Sequence, residues 1–421
     1  MMMRRQKIGV IVLILFIIFV FGSYFSVSKE ELDNWENGIY WINYPKRAKP
    51  VWLGGIPTVK LTPKLNWSSQ GYSFYVYTYE HQYNEKPNDI AIVIHNPSLY
   101  VIDVKRPDGV LVNVYDGMLF QNITLNTNDR AVLSIFRALK NRFNLTDADL
   151  GTKTPAELLF SADPYFDTLK GTYTLRVLCN CSVPPEVIVY GTSYGLLGTD
   201  SYGRDIWVGF VKGMVNTLYL ALFTTFMIIA LGLVLGLISG YFKNLLSSIV
   251  TFFLEVLTAL PILPILVVLT WVMSRQSIGA HVEVNPVKFM LLVSILLVGK
   301  FAKTIRIMTI QEKSREHVTA SISLGASGFH VIRKHILPVV LEHSVRYFTF
   351  LMPRIVALIS IFGFFGLIPG VNWGSFVGEA LQQGALYGGY WWWVLSPGFA
   401  MAFLSLGFAL VVSIDKPLTL S

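Results

Sequence analysis

The 421 residues are 53% hydrophobic and 14% charged, with a formal net charge of +8. That is too apolar for an ordinary soluble domain and too often interrupted by polar sequence for a chain embedded throughout in lipid. The basic excess lies outside residues 29–186, which hold 16 Lys and Arg against 17 Asp and Glu, so it points to loops that orient membrane spans and away from nucleic-acid binding.

Residues 8–25 form an apolar run long enough to cross a bilayer, preceded by Arg4, Arg5 and Lys7. Ser23 and Ser26 are flanked by bulky residues, so no small-x-small cleavage site follows closely. Residues 1–28 therefore read as an uncleaved anchor with its N-terminus in the cytoplasm. Residues 29–190 would then lie outside. They alternate like strands at 72–80, 89–95, 99–116, 171–178 and 186–191, with Pro107-Asp108-Gly109 as a hairpin turn within the third run. A helical pattern at 130–143 interrupts them. The expectation is a β-rich, sandwich-like domain with a helical insertion.

The same segment holds the sequons of Asn66, Asn122, Asn144 and Asn180, which agree with an outside location and mark possible N-glycosylation. Its Cys179 and Cys181 are the only cysteines. Two cysteines exclude a disulfide framework and a structural zinc site of their own, leaving packing residues or one local bridge.

Residues 191–212 contain Leu197-Gly198-Thr199-Asp200-Ser201-Tyr202-Gly203-Arg204-Asp205. This string reads as a turn followed by an interfacial amphipathic helix, with Trp207 at headgroup depth. From 213 onward the chain is polytopic, with apolar runs at about 214–241, 249–273, 287–298, 336–367 and 395–414. The third of these is short unless it extends through Ile305. With the anchor they make six transmembrane helices, both termini cytoplasmic, in a multi-pass protein of the plasma membrane. Lys243, the basic cluster from Lys300 to Lys334, and Lys416 fall inside, while the outer loops carry chiefly Arg275 and Lys288.

Between two of these runs lies a polar, basic stretch, 315–338, within a cytoplasmic loop of residues 306–335. Glu316, His317, Val318, Thr319, Ala320 and Ser321 begin a short helix of small residues that Leu324, Gly325 and Ala326 bring to a stop, glycine being a good helix terminator. Small side chains leave such a helix open to a partner surface. An ordinary basic connecting loop is the plainer reading of the same residues.

That spacing resembles the EAA loop of ABC-importer permeases, and 197–205 resembles the LGTDxxGRD signature of their peptide/nickel family. Further strings keep the family's order: Glu255 with Leu260-Pro261, then Ala302, Lys303 and Arg306, then Phe365-Gly366-Leu367, Trp373-Gly374 and Glu379, and finally Pro397-Gly398 and Asp415-Lys416-Pro417. The set is most similar to the C-type subunit of dipeptide and oligopeptide importers. The resemblance implies a type I permease fold and transport by alternating access beside a homologous permease. It further implies two cytoplasmic ATPase subunits that bind ATP and magnesium, and an extracytoplasmic solute-binding protein. It makes Glu316 to Ala326 the ATPase contact. Lipid surrounds such a chain, and no nucleic acid is expected.

Three departures stand out. Thr319 replaces the usual Glu of the loop and Ser321 one of its alanines. Ile359 stands where the family has an acidic residue, with Arg354 near it. The large outer domain replaces a short loop, and it is expected to dock or shield the binding protein. Glu255, Pro261, Arg354 and Ile359 are candidates for the translocation path, each also readable as structure: a membrane-proximal charge, a helix bend, or packing. The aromatic run Gly388 to Trp393 suits an interfacial belt. The chain contains no GxxxxGK[ST] phosphate loop and no HExxH, and its seven histidines are dispersed in sequence, so no cofactor, metal site or catalytic set is expected on it. Oligosaccharide transport by the same scaffold, or a surface receptor or adhesin merely anchored by its spans, are the alternatives.

Overall fold

The alternating runs become strands in the computed structural model, which describes residues 4–412 except 43, 70, 147–152, 163–166, 263, 269–285 and 369. The chain divides into two units, Asp33–Val208 and the residues on either side of it.

In the first unit a sheet of order β1-β9-β4-β7 and a sheet of order β2-β3-β8-β5-β6 share one core. The strands are β1 (Val59–Leu61), β2 (Lys64–Ser69), β3 (Tyr72–His81), β4 (Asp89–Val93), β5 (Ser98–Lys105), β6 (Leu111–Leu119), β7 (Ile123–Thr124), β8 (Gly171–Cys179) and β9 (Glu186–Tyr190), and every pairing is antiparallel. Period-two alternation decides which side chains go in: Tyr75, Tyr77 and Tyr79 of β3, and Tyr173, Leu175 and Val177 of β8, are buried while their neighbours face out. Helix α1 (Arg4–Phe25) precedes this unit, and α2 (Asp129–Phe143) crosses it, burying Ala131, Ile135 and Leu139 at i, i+4 and i+8. Asn128 caps α2 through Ala131 N–H, and Asn144 ends it in the left-handed conformation. A short α3 (Pro155–Leu159) follows, held by a Thr154–Glu157 capping box. The hairpin read at Pro107-Asp108-Gly109 is present: Gly109 has φ +85° and its N–H donates to Arg106 O.

The second unit is helical. Helix α4 (Ile206–Tyr241) is followed by α5 (Leu245–Ala259), α6 (Pro286–Lys313), α7 (Glu316–Ser323), α8 (Gly328–Phe364), α9 (Trp373–Gln382) and α10 (Trp391–Val412). By length and composition α1, α4, α8 and α10 are able to cross a membrane. Helix α5 is shorter, and α6, though 28 residues long, carries Lys300, Lys303, Arg306, Glu312 and Lys313 in its second half. The run read at 287–298 therefore continues well past Ile305 as one helix. Part of the run read at 249–273, the Arg275 loop, and the Asp415-Lys416-Pro417 tail lie outside the described residues.

Small residues decide how closely these helices approach. On α4, Gly232, Gly236 and Gly240 recur every four residues and form one ridge. A Cβ there would meet Phe301 at 2.4 Å, Ile305 at 2.6 Å, and Arg306 O and Thr309 at 2.7 Å, so α6 lies directly on the α4 backbone. Gly9 of α1 and Gly407 of α10 do the same where the first and last helices pack, beside Phe16 and Phe403.

Two expectations need correction. Residues 191–212 do not form a separate interfacial amphipathic helix: the 191–208 portion closes the β unit, through Lys49 N–H to Thr192 O at 2.7 Å and Arg47 N–H to Asp200 O at 2.8 Å, and Ile206 opens the 36-residue α4. Hydrogen bonds to a distant segment outweigh the local amphipathic pattern. Nor does Pro261 simply bend a helix. Helix α5 stops at Ala259, and Leu260 is extended (ψ 136°), as steric conflict with a following proline demands; helical geometry is present again at 264–268.

Candidate functional site

Three groups of residues carry the sequence expectations, and each has its own geometry.

The turn around Ala320 is an exposed, capped helix. Of the expected loop 306–335, residues 306–313 are the last two turns of α6 and 328–335 the first turns of α8, leaving 314–327 to stand clear. Helix α7 is held at its start by Glu312, 4% exposed, which accepts from Arg315 Nε at 3.1 Å and faces His317 Nε2 at 3.5 Å. Val318 alone on this helix is buried. At the other end Gly325 adopts φ +87°, its N–H donating to Ile322 O and that of Ala326 to Ser321 O, a Schellman closure. Glu316, His317, Thr319, Ala320 and Leu324 are exposed, Leu324 at 89% with Phe329 beyond it at 73%. Apolar side chains so exposed beside a capped helix end are what a partner's cleft would cover. Helix α8 then widens into one π turn at Ile332–Ile336. His317, His330 and His335, dispersed in sequence, come together, the His335 ring centroid lying 5.6 Å from that of His317 and 6.4 Å from that of His330. Among the described residues no group suited to hold a metal ion is found.

The signature 197–205 is a structural knot. Asp200 Oδ1 accepts the N–H groups of Tyr202 (2.9 Å) and Arg204 (2.8 Å), and Oδ2 accepts Nε and Nη2 of Arg204, both at 2.6 Å. Arg204 lies over Trp35, which is fully buried. Thr199 Oγ1 donates to Pro45 O and accepts from Ala48 N–H. Gly198 and Gly203 are required because a Cβ would fall 2.1 Å from Ala48 O and 2.8 Å from Trp41 O. Asp205 Oδ1 accepts from Trp207 N–H and so caps α4. The side chains of Thr199, Asp200, Arg204 and Asp205 thus bind the string to itself and to residues 35–48, which is the work of a fastener.

The translocation-path candidates separate. Arg354 lines a cavity of about 310 Å³ between α5, α6 and α8, together with Thr258, Lys300, Tyr347 and apolar neighbours that include Ile262 and Leu358. Its guanidinium and the Lys300 ammonium have no acidic partner among the described residues. Pro261 is exposed next to Ile262, and Glu255 is exposed, its carbonyl accepting from Thr258 Oγ1 at 2.9 Å. Ile359 is fully buried and is not among the described residues that line this cavity. Lys303, on the same helix as Lys300, donates to Thr258 Oγ1 at 3.0 Å.

Sequence reasoning missed the Gly232/Gly236/Gly240 ridge, although the four-residue glycine spacing was there to read. It also missed Asn372, 1% exposed, whose side chain caps α9 against Gly363, with Trp373 N–H donating to Thr217 Oγ1 and Asn216 Nδ2 to Val371 O. All four sequon asparagines are exposed, and Cys179 is joined to Cys181 by a disulfide.

Comparison with known proteins gives this arrangement a class. Residues 232–414 match the model of the binding-protein-dependent transport system inner membrane component. The dipeptide transport system permease protein DppC of Bacillus subtilis is 28% identical over 231 residues, covering 52% of this chain and 68% of DppC. The oligopeptide permease protein OppC of Haemophilus influenzae is 26% identical over 193 residues, 45% of this chain and 59% of OppC. The peptide permease protein SapC of Escherichia coli is 28% identical over 222 residues, 52% and 71%. The chain is thus a polytopic helical membrane protein whose similar relatives are permeases of peptide transport systems.

Proposed function

We propose that this protein is the C-type permease subunit of an ATP-driven peptide importer, one half of a path through which peptides cross by alternating access. The observation that carries the reading is α7: a short helix pinned by Glu312 at one end and closed by Gly325 at the other, with its small and apolar side chains exposed. Held in the cleft of an ATPase, such a lever passes closure of the nucleotide-bound motor into α6 and α8, between which it is strung. ATP and magnesium belong to two partner subunits, and a homologous permease completes the path.

In this reading six helices cross the membrane: α1, α4, the α5 region, α6, α8 and α10. Both termini are cytoplasmic. The Asp33–Val208 unit stands outside, where its sequons are open to glycosylation and its surface to a solute-binding protein. The cavity of Arg354 and Lys300 lies on the path. An intramembrane cation facing a cavity costs less than one facing lipid, and it suits a solute that carries a carboxylate.

The test is reconstitution of the chain with its partner permease, ATPases and binding protein in proteoliposomes, followed by uptake of a labelled tripeptide. ATP-dependent accumulation that stops without hydrolysis is expected. An assembly that hydrolyses ATP but takes up an oligosaccharide and no peptide would overturn the substrate class.

A further inference from the structure

A second cavity, of about 530 Å³, opens where α4 turns into α5 beside the last turns of α6. It goes beyond the transport reading and does not depend on which solute is carried. Lys243 sits on the corner between α4 and α5, and Arg306 and Lys313 reach the same space from α6. Ser239 and Ser247, both buried, stand on its wall, and Asn244 caps the N-terminus of the 15-residue α5 there through Ser247 N–H at 3.0 Å. No acidic side chain is among the described lining residues. Glu312, the acid nearest in sequence, is turned to Arg315 and His317.

The three cations are unequally occupied. Lys313 Nζ donates to Tyr241 O at 2.7 Å and lies 4.3 Å from the Tyr241 ring centre. Arg306 Nε is buried and has no hydrogen-bond partner among the described residues. A buried guanidinium N–H left unpaired is costly, and three cations around one cavity repel one another unless an anion joins them. The wall hydroxyls already donate to backbone carbonyls, Ser239 to Gly236 O and Ser247 to Ser239 O, so the further donors for a tetrahedral oxyanion come from the positive end of α5. The cavity also lies where the apolar run of α4 ends, at the depth of a lipid headgroup should α4 cross a membrane.

We infer that this cavity is a phosphate-binding site, with Lys243, Arg306 and Lys313 closing on the oxygens of one phosphate group. Two sources present that chemistry, the phosphodiester of an anionic phospholipid and a free phosphate, and the experiment separates them. The complete assembly, purified in detergent, is titrated with phosphatidylglycerol, with phosphatidylcholine, and with inorganic phosphate at constant ionic strength, and its thermal midpoint and bound-lipid mass are recorded. The same titrations are made on Lys243→Gln, which alters an exposed corner, and on Arg306→Gln.

A rise in midpoint with phosphatidylglycerol beyond that with phosphatidylcholine, weakened about tenfold in affinity by Lys243→Gln, supports the site with a lipid headgroup as its ligand. The same pattern with inorganic phosphate supports it with free phosphate. Equal responses to all three additions, or a phosphatidylglycerol response that Lys243→Gln leaves intact, overturns it. Should Arg306→Gln fail to fold, Lys243→Gln alone decides.

Discussion

Valine in place of Gly325 is expected to uncouple ATP hydrolysis from uptake while leaving the chain inserted and assembled. The effect is conformational. A Cβ at this position would meet no described residue within 4 Å, so there is room for the side chain, but φ +87° is a conformation that L-residues adopt only at a cost of about 1–2 kcal/mol, more when they are β-branched. The Schellman closure through Ile322 O and Ser321 O then opens, and Leu324 and Phe329 lose their fixed aim. If those side chains seat in the ATPase, coupled uptake should fall about five- to thirtyfold, as the same 1–2 kcal/mol applied to the docking-competent state requires. Gly325→Ala should lie between wild type and valine. Uptake per ATP unchanged in the valine variant would remove Gly325 from the mechanism.

The second large effect is expected at Gly236. Isoleucine there places its Cβ 2.6 Å from Ile305 Cβ and 2.8 Å from Ala302 O, a backbone atom that cannot step aside. Helices α4 and α6 must separate, at a cost of about 3 kcal/mol or more, the upper range for overpacking a close-packed interface. Most of the chain should then be lost from the folded fraction recovered from membranes. Gly22→Ile is the control, because no described residue lies within 4 Å of a Cβ there and the substitution adds the same apolar surface to a helix. Equal recovery of the two variants would mean that the glycine ridge does not set the α4–α6 distance.

What the sequence disclosed depended on how local the governing physics is. Strands β3, β4, β5, β6, β8 and β9 were legible because alternation is written residue by residue, and α2 because its apolar face repeats at helical spacing. Strand β2 was not: all six of its residues are exposed, so there is no alternation to read, and it exists because β3 offers it an edge. The knot at 197–205 was recognisable as a string but not as a fastener, because its partners Pro45, Ala48 and Trp35 lie some 150 residues away in the chain.

In the helical unit the stop at Gly325 was legible from the glycine itself, while the anchoring role of Glu312 required the fold. Arg354 was singled out by its charge in an apolar run, and it does face a cavity. Ile359 was singled out only by position in a family pattern, and it is packed in the core. A charge in apolar sequence carries its own physical demand, whereas an apolar residue standing where relatives have an acid carries none.

The account turns on whether a motor holds the turn around Ala320. Cys179 and Cys181 are joined to each other, so Ala320→Cys adds one thiol to a chain whose other two are occupied. Cross-linking the purified assembly from that thiol should capture a nucleotide-hydrolysing subunit, with a yield that changes between the ATP-bound and nucleotide-free states. An active assembly in which Ala320→Cys reaches no such subunit in either state would contradict the account.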